Sequence, residues 1–445
     1  MTSAPKVSFT TLGCRLNQAE SDAMAEDLAR RGVVGARPGE SADLVVVNTC
    51  TVTREATKAS RAAIRRAVRT HPDAKIVVAG CYVVSDPEEV AALDGVDAMV
   101  TNDDKDYVGA VLAERVATSP LLQLGFRGMS RPGQRRADAP PTAAGQRVRA
   151  NLKVQTGCDE WCTFCIIPTT RGPLRSYPED ELVGAAVALV RAGARELVLT
   201  GVHLGKYAYD RGGAERDLVR LLRRFLAIDG IERIRLSSIL SCHLTPELIE
   251  LIASEPRLCR YLHVPLQSGD DSVLDAMHRP YRIEAYLERV TAARDAIPGL
   301  ALATDIIVGF PGETEQAFRA TLDVVDQLQF SKLHVFRYSA RPGTPAAELE
   351  EVPAGVRKER SRRLIALGNE MRARFLQRHI GPPLEVLVED EREVDGVWVG
   401  SGQTDDYVRV WFSGAGHLRA LTTVTGDRVR ADGIEGRLAA PAKGS

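Results

Sequence analysis

The chain has 445 residues, of which 44% are hydrophobic and 26% are charged, and its formal net charge is −1. This composition is ordinary for a soluble globular protein, and the length predicts more than one domain. A net charge so close to zero excludes a basic field over the whole molecule, so a nucleic-acid site would have to be a local patch. No apolar run reaches the roughly 18–20 residues that a membrane span needs, and the first residues lack a signal-peptide core, so we expect a cytoplasmic protein.

The first 125 residues repeat one unit three times: an apolar strand, a cysteine and a helix. Strands are predicted at Val7–Leu12, Leu44–Val47 and Lys75–Ala79, and helices at 17–31 and 54–70. Such alternation predicts a parallel sheet that is covered on both faces. Ligands of these sheets bind at the carboxyl ends of the strands, so Cys14, Cys50 and Cys81 are expected to meet at one edge.

The repeated cysteines favour an iron–sulfur site over simple packing. A lone cysteine after a strand is usually a small buried apolar residue, but three in equivalent positions point to a shared ligand. An open iron is expected there, because clusters normally take four thiolates and this set offers three. Asn17, Asn48 and Thr49 are candidates for hydrogen bonds to the sulfurs, or for ordinary turn and cap residues.

A second set, Cys158, Cys162 and Cys165, has C-x3-C-x2-C spacing and no histidine beside it. Structural zinc sites and iron–sulfur clusters both normally have four protein ligands. Three thiolates therefore indicate a cluster with one iron open to a non-protein ligand. The alternatives are a zinc loop with a distant fourth ligand, or chance. Cys242 and Cys259 have no partner pattern and are predicted to be packing residues.

Residues 126–147 are rich in Pro, Gly, Ala and Arg and are predicted to be a linker. After them, six strands alternate with helices, at Ala150–Gln155, Glu196–Thr200, Arg233–Ser238, Tyr261–Leu266, Ala303–Val308 and Lys332–Tyr338. Six units predict a partial barrel, since an eight-unit barrel typically needs about 250 residues. Active sites of such barrels lie at the carboxyl ends of the strands, which is where the Cys158 loop falls.

Polar and glycine-containing loops follow the other barrel strands and outline a small-molecule pocket on the same rim. One of these loops opens a helix, whose backbone N–H groups can meet a carboxylate or a ribose. The candidate cofactor-binding residues are Thr200, Gly201, His203, Ser238, Gln267, Gly309 and Glu313.

The end of the chain carries two candidate RNA-binding features. A helix is predicted over 354–380, with eight basic and two acidic residues, and either a solvated face or a phosphate-binding patch explains this charge. From residue 384 the apolar period changes to two, with strands predicted at 384–388, 397–399, 407–412, 419–423 and 428–430. Five short strands predict a small OB-like barrel of the kind that binds oligonucleotides. The candidate RNA contacts are Arg363, Arg372, Arg409 and Arg430.

Seven motifs together resemble the methylthiotransferase family of radical S-adenosylmethionine (SAM) enzymes along nearly the whole chain. They are Thr11–Cys14, Asn48–Val52, Ala79–Cys81, Gln155–Pro168, Pro265–Gly269, Gly309–Thr314 and Tyr338–Pro345. The resemblance implies a cluster-binding domain over 1–125, a radical SAM core over 148–380 and a TRAM domain over 381–445. It also implies two 4Fe-4S clusters, SAM, an electron donor such as flavodoxin or ferredoxin, and a tRNA anticodon stem-loop as partner.

Within that family, three substrates are known: an adenosine with an N6-threonylcarbamoyl group, one with an N6-isopentenyl group, and an aspartate of a ribosomal protein. The segment Asn48–Thr53 and the segments 199–205 and 334–339 look most like the threonylcarbamoyladenosine enzymes. Thr51 and Thr53 depart from the isopentenyl pattern, which supports this ranking. The resemblance implies SAM cleavage at Cys158, Cys162 and Cys165, and sulfur transfer at the first cysteine set. A non-catalytic RNA-binding protein with a structural metal is the alternative from another class.

Overall fold

The computed structural model of the chain describes residues 4–37, 39–107 and 147–439. The end of the predicted first domain and all of the predicted linker except Arg147 therefore lie outside the described residues.

The first domain is an α/β unit built on a parallel sheet, as predicted. Its elements are β1 (Lys6–Thr11), α1 (Arg15–Arg30), β2 (Val34–Gly35), β3 (Leu44–Thr49), α2 (Arg54–Thr70), β4 (Lys75–Gly80), α3 (Cys81–Ser85), α4 (Pro87–Ala91) and β5 (Ala98–Val100). The strand order is β2-β1-β3-β4-β5, and every pair is parallel. All residues of the central strand β3 are buried, which is typical of a parallel sheet covered on both faces. The short edge strands β2 and β5 were not predicted.

The second domain is a partial α/β barrel. Its elements are β6 (Arg149–Lys153), β7 (Gln155–Thr156), α5 (Ile167–Arg171), β8 (Arg175–Ser176), α6 (Glu179–Arg191), β9 (Glu196–Thr200), α7 (Arg216–Leu226), β10 (Arg233–Leu236), α8 (Pro246–Ser254), β11 (Tyr261–His263), α9 (Asp271–Ala276), α10 (Ile283–Ala296), β12 (Ala301–Val308), α11 (Glu315–Leu328), β13 (Lys332–Arg337) and α12 (Ala354–Gln377).

The six long strands of this domain stand in chain order. β6, β9 and β10 form one parallel sheet, and β11, β12 and β13 form another. Isolated parallel bridges, Ile234 to Leu258 and Ser238 to His263, connect β10 to the segment of β11. The prediction of an α/β fold with parallel sheets is therefore confirmed. Helix α1 of the first domain packs along β6 and β9, which places the first domain against one edge of the barrel.

The last domain is a five-stranded closed barrel of β14 (Pro383–Val394), β15 (Val397–Gln403), β16 (Arg409–Ser413), β17 (Leu421–Arg430) and β18 (Gly433–Leu438), in the order β14-β15-β16-β18-β17. The prediction of separate strands at 419–423 and 428–430 is wrong, because both lie largely in β17. A register shift between Gly426 and Arg428 interrupts the alternation of buried and exposed residues in this strand, so its sequence pattern resembles two short strands. The fifth strand is β18, whose glycines allow close contact with β16 and β17: a Cβ on Gly433 would lie 2.1 Å from the Arg409 carbonyl oxygen.

Among the described residues, no helix is long and apolar enough to cross a membrane.

Candidate active site

The loop with Cys158, Cys162 and Cys165 follows β7 at the carboxyl end of the first barrel strand. The Cys158 amide donates to the Gly172 carbonyl (3.2 Å) and the Cys165 amide to the Cys162 carbonyl (3.0 Å), so the loop folds back on itself. Gly157 makes this turn possible: its φ is +71°, and a Cβ there would lie 1.9 Å from the Pro173 carbonyl oxygen.

Residues after α9 hold the loop from the opposite side. The Arg279 guanidinium donates to the Cys162 Sγ (3.2 Å), and the Thr163 amide donates to the Met277 carbonyl (3.1 Å). The Glu160 amide also donates to the Cys158 Sγ (3.4 Å). Donors aimed at sulfur stabilise thiolate over thiol, so this loop suits a thiolate-bound metal centre.

A small polar group lies beside the same loop. The Lys206 ammonium pairs with the Glu160 carboxylate at 2.6 Å, and the His203 imidazole lies 3.5 Å from it. His203 and Lys206 lower the pKa of Glu160 to about 2. The rings of His203 and His243 meet edge to face at 5.1 Å, and burial lowers the pKa of His243 to about 4. The His243 imidazole is therefore mainly neutral at pH 7.

The other three cysteines lie at the carboxyl edge of the first sheet, as the topology requires. Cys14 caps α1 and is exposed, whereas Cys50 follows β3 and Cys81 begins α3, and both of these are buried. A Cβ on Gly13 would lie 2.8 Å from the Cys50 Sγ, so glycine is required where the Cys14 loop approaches Cys50. Burial raises the pKa of Cys50, and the charges that Cys81 and Cys14 would carry as thiolates add to this rise.

Asn17, Asn48 and Thr49 hold the backbone of this edge, and in the described part of the chain they make no hydrogen bond to sulfur. The Asn17 amide donates to the Leu12 carbonyl (2.7 Å) and the Thr49 carbonyl (2.9 Å). The Asn48 amide donates to the Asn17 carbonyl (2.9 Å), and the Thr49 hydroxyl donates to the Ala79 carbonyl (2.6 Å). These residues fix the cysteine loops relative to one another, which agrees with the alternative of turn and cap roles.

Asn102 makes the contact to sulfur that the sequence did not reveal. Its side-chain amide donates to the Cys81 Sγ (3.4 Å) and to the Thr170 carbonyl (2.7 Å). Thr170 lies on α5, the helix that follows the Cys158 loop. One buried amide therefore joins the first cysteine set to the element that carries the second.

A buried ionic group continues this junction. The Glu20 carboxylate accepts from Lys105 (2.6 Å) and Arg171 (2.8 Å) and lies 3.7 Å from Lys153. None of these four side chains is more than 4% exposed. Arg171, the last residue of α5, also donates to the Asn17 side chain. Sequence reasoning missed this group, because only the fold brings residues 20, 105, 153 and 171 together.

Both cysteine sets fit iron–sulfur ligation by their chemistry. All eight cysteines are free thiols, and within the described ranges no group of three or more His, Cys, Asp or Glu side chains is already placed to hold a metal ion. Burial raises the pKa of Cys50 and Cys158 to about 11 and that of Cys165 to about 12. Metal binding must therefore displace protons from these thiols.

The predicted cofactor-binding residues fall into three groups. Thr200, Gly201 and His203 stand at the end of β9, where the His203 amide donates to the Gln155 side chain just before the cysteine loop, and Ser238 stands just after β10. Gln267 has a left-handed backbone (φ 66°) and a buried side-chain oxygen without a partner in the described structure. Glu313 is already engaged, because its carboxylate accepts from the Gly309 amide (2.6 Å) and pairs with Arg360 (2.6 Å). Gly309 and Glu313 thus close a loop against α12.

The predicted RNA contacts differ in exposure and in partners, because Arg430 is exposed whereas Arg363, Arg372 and Arg409 are half-buried. Arg363 pairs with Glu315 (2.9 Å), and Arg372 lies over the Phe375 ring (5.4 Å). Arg409 and Arg430 lie over the ring of Trp411, at 5.5 and 4.6 Å. The two barrel arginines and Trp411 form a basic aromatic surface, whereas part of the positive charge of α12 is used inside the fold.

Two family models match the chain. Residues 152–325 match the radical SAM superfamily, and residues 6–101 match a family described as uncharacterized protein family UPF0004. The matches coincide with the barrel that carries Cys158, Cys162 and Cys165 and with the sheet that carries the other cysteine set.

Curated relatives extend the similarity over most of the chain. A threonylcarbamoyladenosine tRNA methylthiotransferase, MtaB, of Bacillus subtilis is 40% identical over 92% of this chain and 90% of its own length. MtaB of Aquifex aeolicus is 37% identical over 87% of this chain and 94% of its own. A tRNA-2-methylthio-N(6)-dimethylallyladenosine synthase of Sorangium cellulosum is 36% identical over 94% of this chain and 90% of its own.

A solved structure supports the fold. The radical SAM methyltransferase TsrM of Kitasatospora setae aligns with a TM-score of 0.55 and 17% identity, over 77% of this chain and 74% of that chain.

Proposed function

Because the chain belongs to the methylthiotransferases of the radical SAM superfamily, we propose that it adds a methylthio group to C2 of threonylcarbamoyl-modified adenosine next to the tRNA anticodon. The observation that carries this proposal is the junction at Asn102. It joins the loop of the first cysteine set to the helix that follows the second, so both sets face one seam between two domains.

We assign the two cysteine sets to two 4Fe-4S clusters. Cys158, Cys162 and Cys165 would hold the one that binds SAM, and Cys14, Cys50 and Cys81 would hold an auxiliary cluster. When bound, these groups supply the electron for SAM cleavage and the sulfur for transfer. Arg279 and the Glu160 amide would stabilise the thiolates of Cys162 and Cys158, and Asn102 would do so for Cys81. A cellular electron donor, flavodoxin or ferredoxin, is part of this proposal.

The rim of the barrel would orient SAM, and the two C-terminal elements would bind tRNA. Thr200, Gly201, His203 and Gln267 surround the mouth next to the cysteine loop, and the unpartnered oxygen of Gln267 is a buried acceptor available to a ligand donor. We assign residues 381–445 to a TRAM domain with an OB-like barrel. Arg409, Arg430 and Trp411 present the combination of positive charge and aromatic surface that single-stranded RNA favours.

A cysteine replacement experiment tests the two-cluster assignment. Changing Cys14, Cys50 and Cys81 together to Ala should remove about half of roughly eight irons per chain and abolish methylthiolation, while reductive SAM cleavage to 5′-deoxyadenosine continues. Cys242→Ala, outside both sets, should retain all three properties. Retention of methylthiolation by the triple variant would contradict the assignment, and zinc in place of iron would favour the structural-metal alternative.

The substrate is tested separately by mass spectrometry of tRNA nucleosides from a strain that lacks the gene. The 2-methylthio-threonylcarbamoyl nucleoside should disappear and return on complementation. Its persistence, with loss of the isopentenyl counterpart or of the ribosomal-protein modification, would assign the enzyme to another substrate.

A further inference from the structure

The lumen of the partial barrel contains a layer of polar side chains that neither cluster assignment uses. The Ser238 hydroxyl lies 2.9 Å from the Nδ1 atom of His263, and the Nε2 atom of His263 lies 2.9 Å from the Asp305 carboxylate. The His334 ring stacks on His263 at 5.5 Å. We call Ser238, His263, Asp305 and His334 the polar layer. The side chains of His263 and Asp305 are 18% and 24% exposed, so this layer borders a space that a ligand can reach.

Below the polar layer, Tyr407 of the last domain closes the amino-terminal end of the barrel. It stacks on Tyr261, the first residue of β11, with ring centroids 4.8 Å apart. Side chains two residues apart on a strand point to the same face, so Tyr261 and His263 share one face of β11. The tyrosine pair and the polar layer are therefore successive levels of one lumen. Tyr407 has a left-handed backbone (φ 71°), which a bulky residue adopts only when its surroundings require it.

Three guanidinium groups surround the Tyr407 ring, at 4.9 Å for Arg15, 5.2 Å for Arg149 and 4.5 Å for Arg235. Glu196 pairs with both Arg149 (2.9 Å) and Arg235 (2.7 Å). Arg149 has a second carboxylate partner at 3.1 Å.

Arg15 is different from the other two arginines. It donates to the Tyr407 hydroxyl, and within the described ranges no carboxylate lies within 4 Å of it. Burial raises the pKa of Tyr407, but the surrounding arginines, Arg15 first, outweigh burial and lower it. The pKa of His334 is lowered mainly by burial, and the charge of Arg15 contributes in the same direction. Among the described residues, Arg15 thus brings a positive charge without a carboxylate partner to the tyrosine pair, close enough to the polar layer to act on His334.

The position of Arg15 connects this charge to the reaction. Arg15 directly follows Cys14, a proposed ligand of the auxiliary cluster. In adenine, only N1 separates C2 from the carbon that carries N6. A substituent on N6 therefore lies in the same cavity as the carbon that receives sulfur.

We propose that Arg15 and the polar layer form the binding site for the threonylcarbamoyl group on N6, with Arg15 as the partner of its carboxylate. The inference rests on the proposed function and defines how the substrate is selected. The threonylcarbamoyl group offers one carboxylate, one hydroxyl and N–H donors, which match a guanidinium, an acceptor carboxylate at Asp305 and neighbouring imidazoles. An isopentenyl group offers none of these and would place an apolar chain against Arg15 and Asp305, shielding both charges from water without a new partner, which is how such sites reject apolar analogues.

The test compares two synthetic anticodon stem-loops that differ only at the substituent carboxylate, which is either intact or converted to the uncharged carboxamide. Binding to the reconstituted holoenzyme is measured without reductant, and methylthiolation is measured with it. The wild-type protein should prefer the carboxylate, and Arg15→Met should reduce that preference by about 10- to 100-fold in both measurements. Arg15→Lys should retain part of it. Arg30→Met, at an exposed position of the same helix, should leave it unchanged.

The outcomes separate this inference from the proposed function. Wild-type protein that modifies the threonylcarbamoyl stem-loop but does not distinguish carboxylate from carboxamide would overturn the inference alone. An equal loss for both stem-loops in Arg15→Met would also overturn it, because Arg15 would then be only structural. Wild-type protein that modifies the isopentenyl stem-loop and not the threonylcarbamoyl one would overturn both.

Discussion

The buried carboxylate of Glu20 is expected to hold the first domain against the barrel. Glu20→Gln removes the negative charge that faces Lys105, Arg171 and Lys153, while it preserves the size of the side chain. Lys105 and Arg171 are 0% and 1% exposed, so their charges cannot be rehydrated without opening the interface. Breaking a buried ion pair from one side typically costs about 3–5 kcal/mol.

The matched control is Asp27→Asn on the same helix. Asp27 pairs with Arg31 (3.3 Å) at a partly exposed position, so its loss should cost about 0–1 kcal/mol. Three domains need not unfold together, so the assay is hydrogen exchange of the amides of α1, α5 and β6. Glu20→Gln should increase local opening in all three elements. If these amides are as well protected from exchange in Glu20→Gln as in Asp27→Asn, the ionic group does not hold the interface.

Two further predictions concern the Cys158 loop. Gly157→Ala should lose the iron of this loop and SAM cleavage, because the new Cβ would lie 1.9 Å from the Pro173 carbonyl oxygen. Gly172→Ala is the control, because Gly172 has the same φ of +71° but no atom within 4 Å of a new Cβ. This control measures the effect of backbone strain alone, and it should retain more iron than Gly157→Ala. Arg279→Met removes the donor to the Cys162 Sγ and should shift the reduction potential of this cluster to more negative values, as measured by EPR-monitored titration; an unchanged potential would show that this contact does not act on the cluster.

The features that were predictable from the sequence are those that local periodicity or short motifs indicate. Cys14, Cys50 and Cys81 each follow an apolar strand, and parallel topology then brings these three to one edge; the other three cysteines share one loop after a barrel strand. The barrel strands are also local signals. The error in the last domain has a local cause as well, because the irregularity at Gly426 interrupts the period of β17 and the glycine-rich β18 has little apolar alternation.

What could not be predicted depends on pairs that are distant in sequence. Nothing near Glu20 indicates that residues 105, 153 and 171 surround it, and nothing near Arg15 indicates that Tyr407 lies against it. From the sequence alone, Asn102 likewise looks like an ordinary loop residue. In the fold it follows β5 and lies beside Cys81 and α5. These residues need the assembled domains, because each makes its contacts across a domain boundary or between separate loops.

The junction between the two cysteine sets is polar, and this has a consequence for the proposed reaction. The Arg341 guanidinium, from the loop after β13, donates to the Thr51 hydroxyl (2.6 Å) just after Cys50, and Arg171 reaches Asn17 and Glu20 on α1. Arg341 and Arg171, both from the α/β barrel, thus hold the first domain close to a cysteine loop. Apolar surfaces can slide with little change in energy, whereas hydrogen bonds require a particular direction and distance. A reaction that passes a substrate between two centres depends on their fixed separation, so we infer that these buried polar contacts set it.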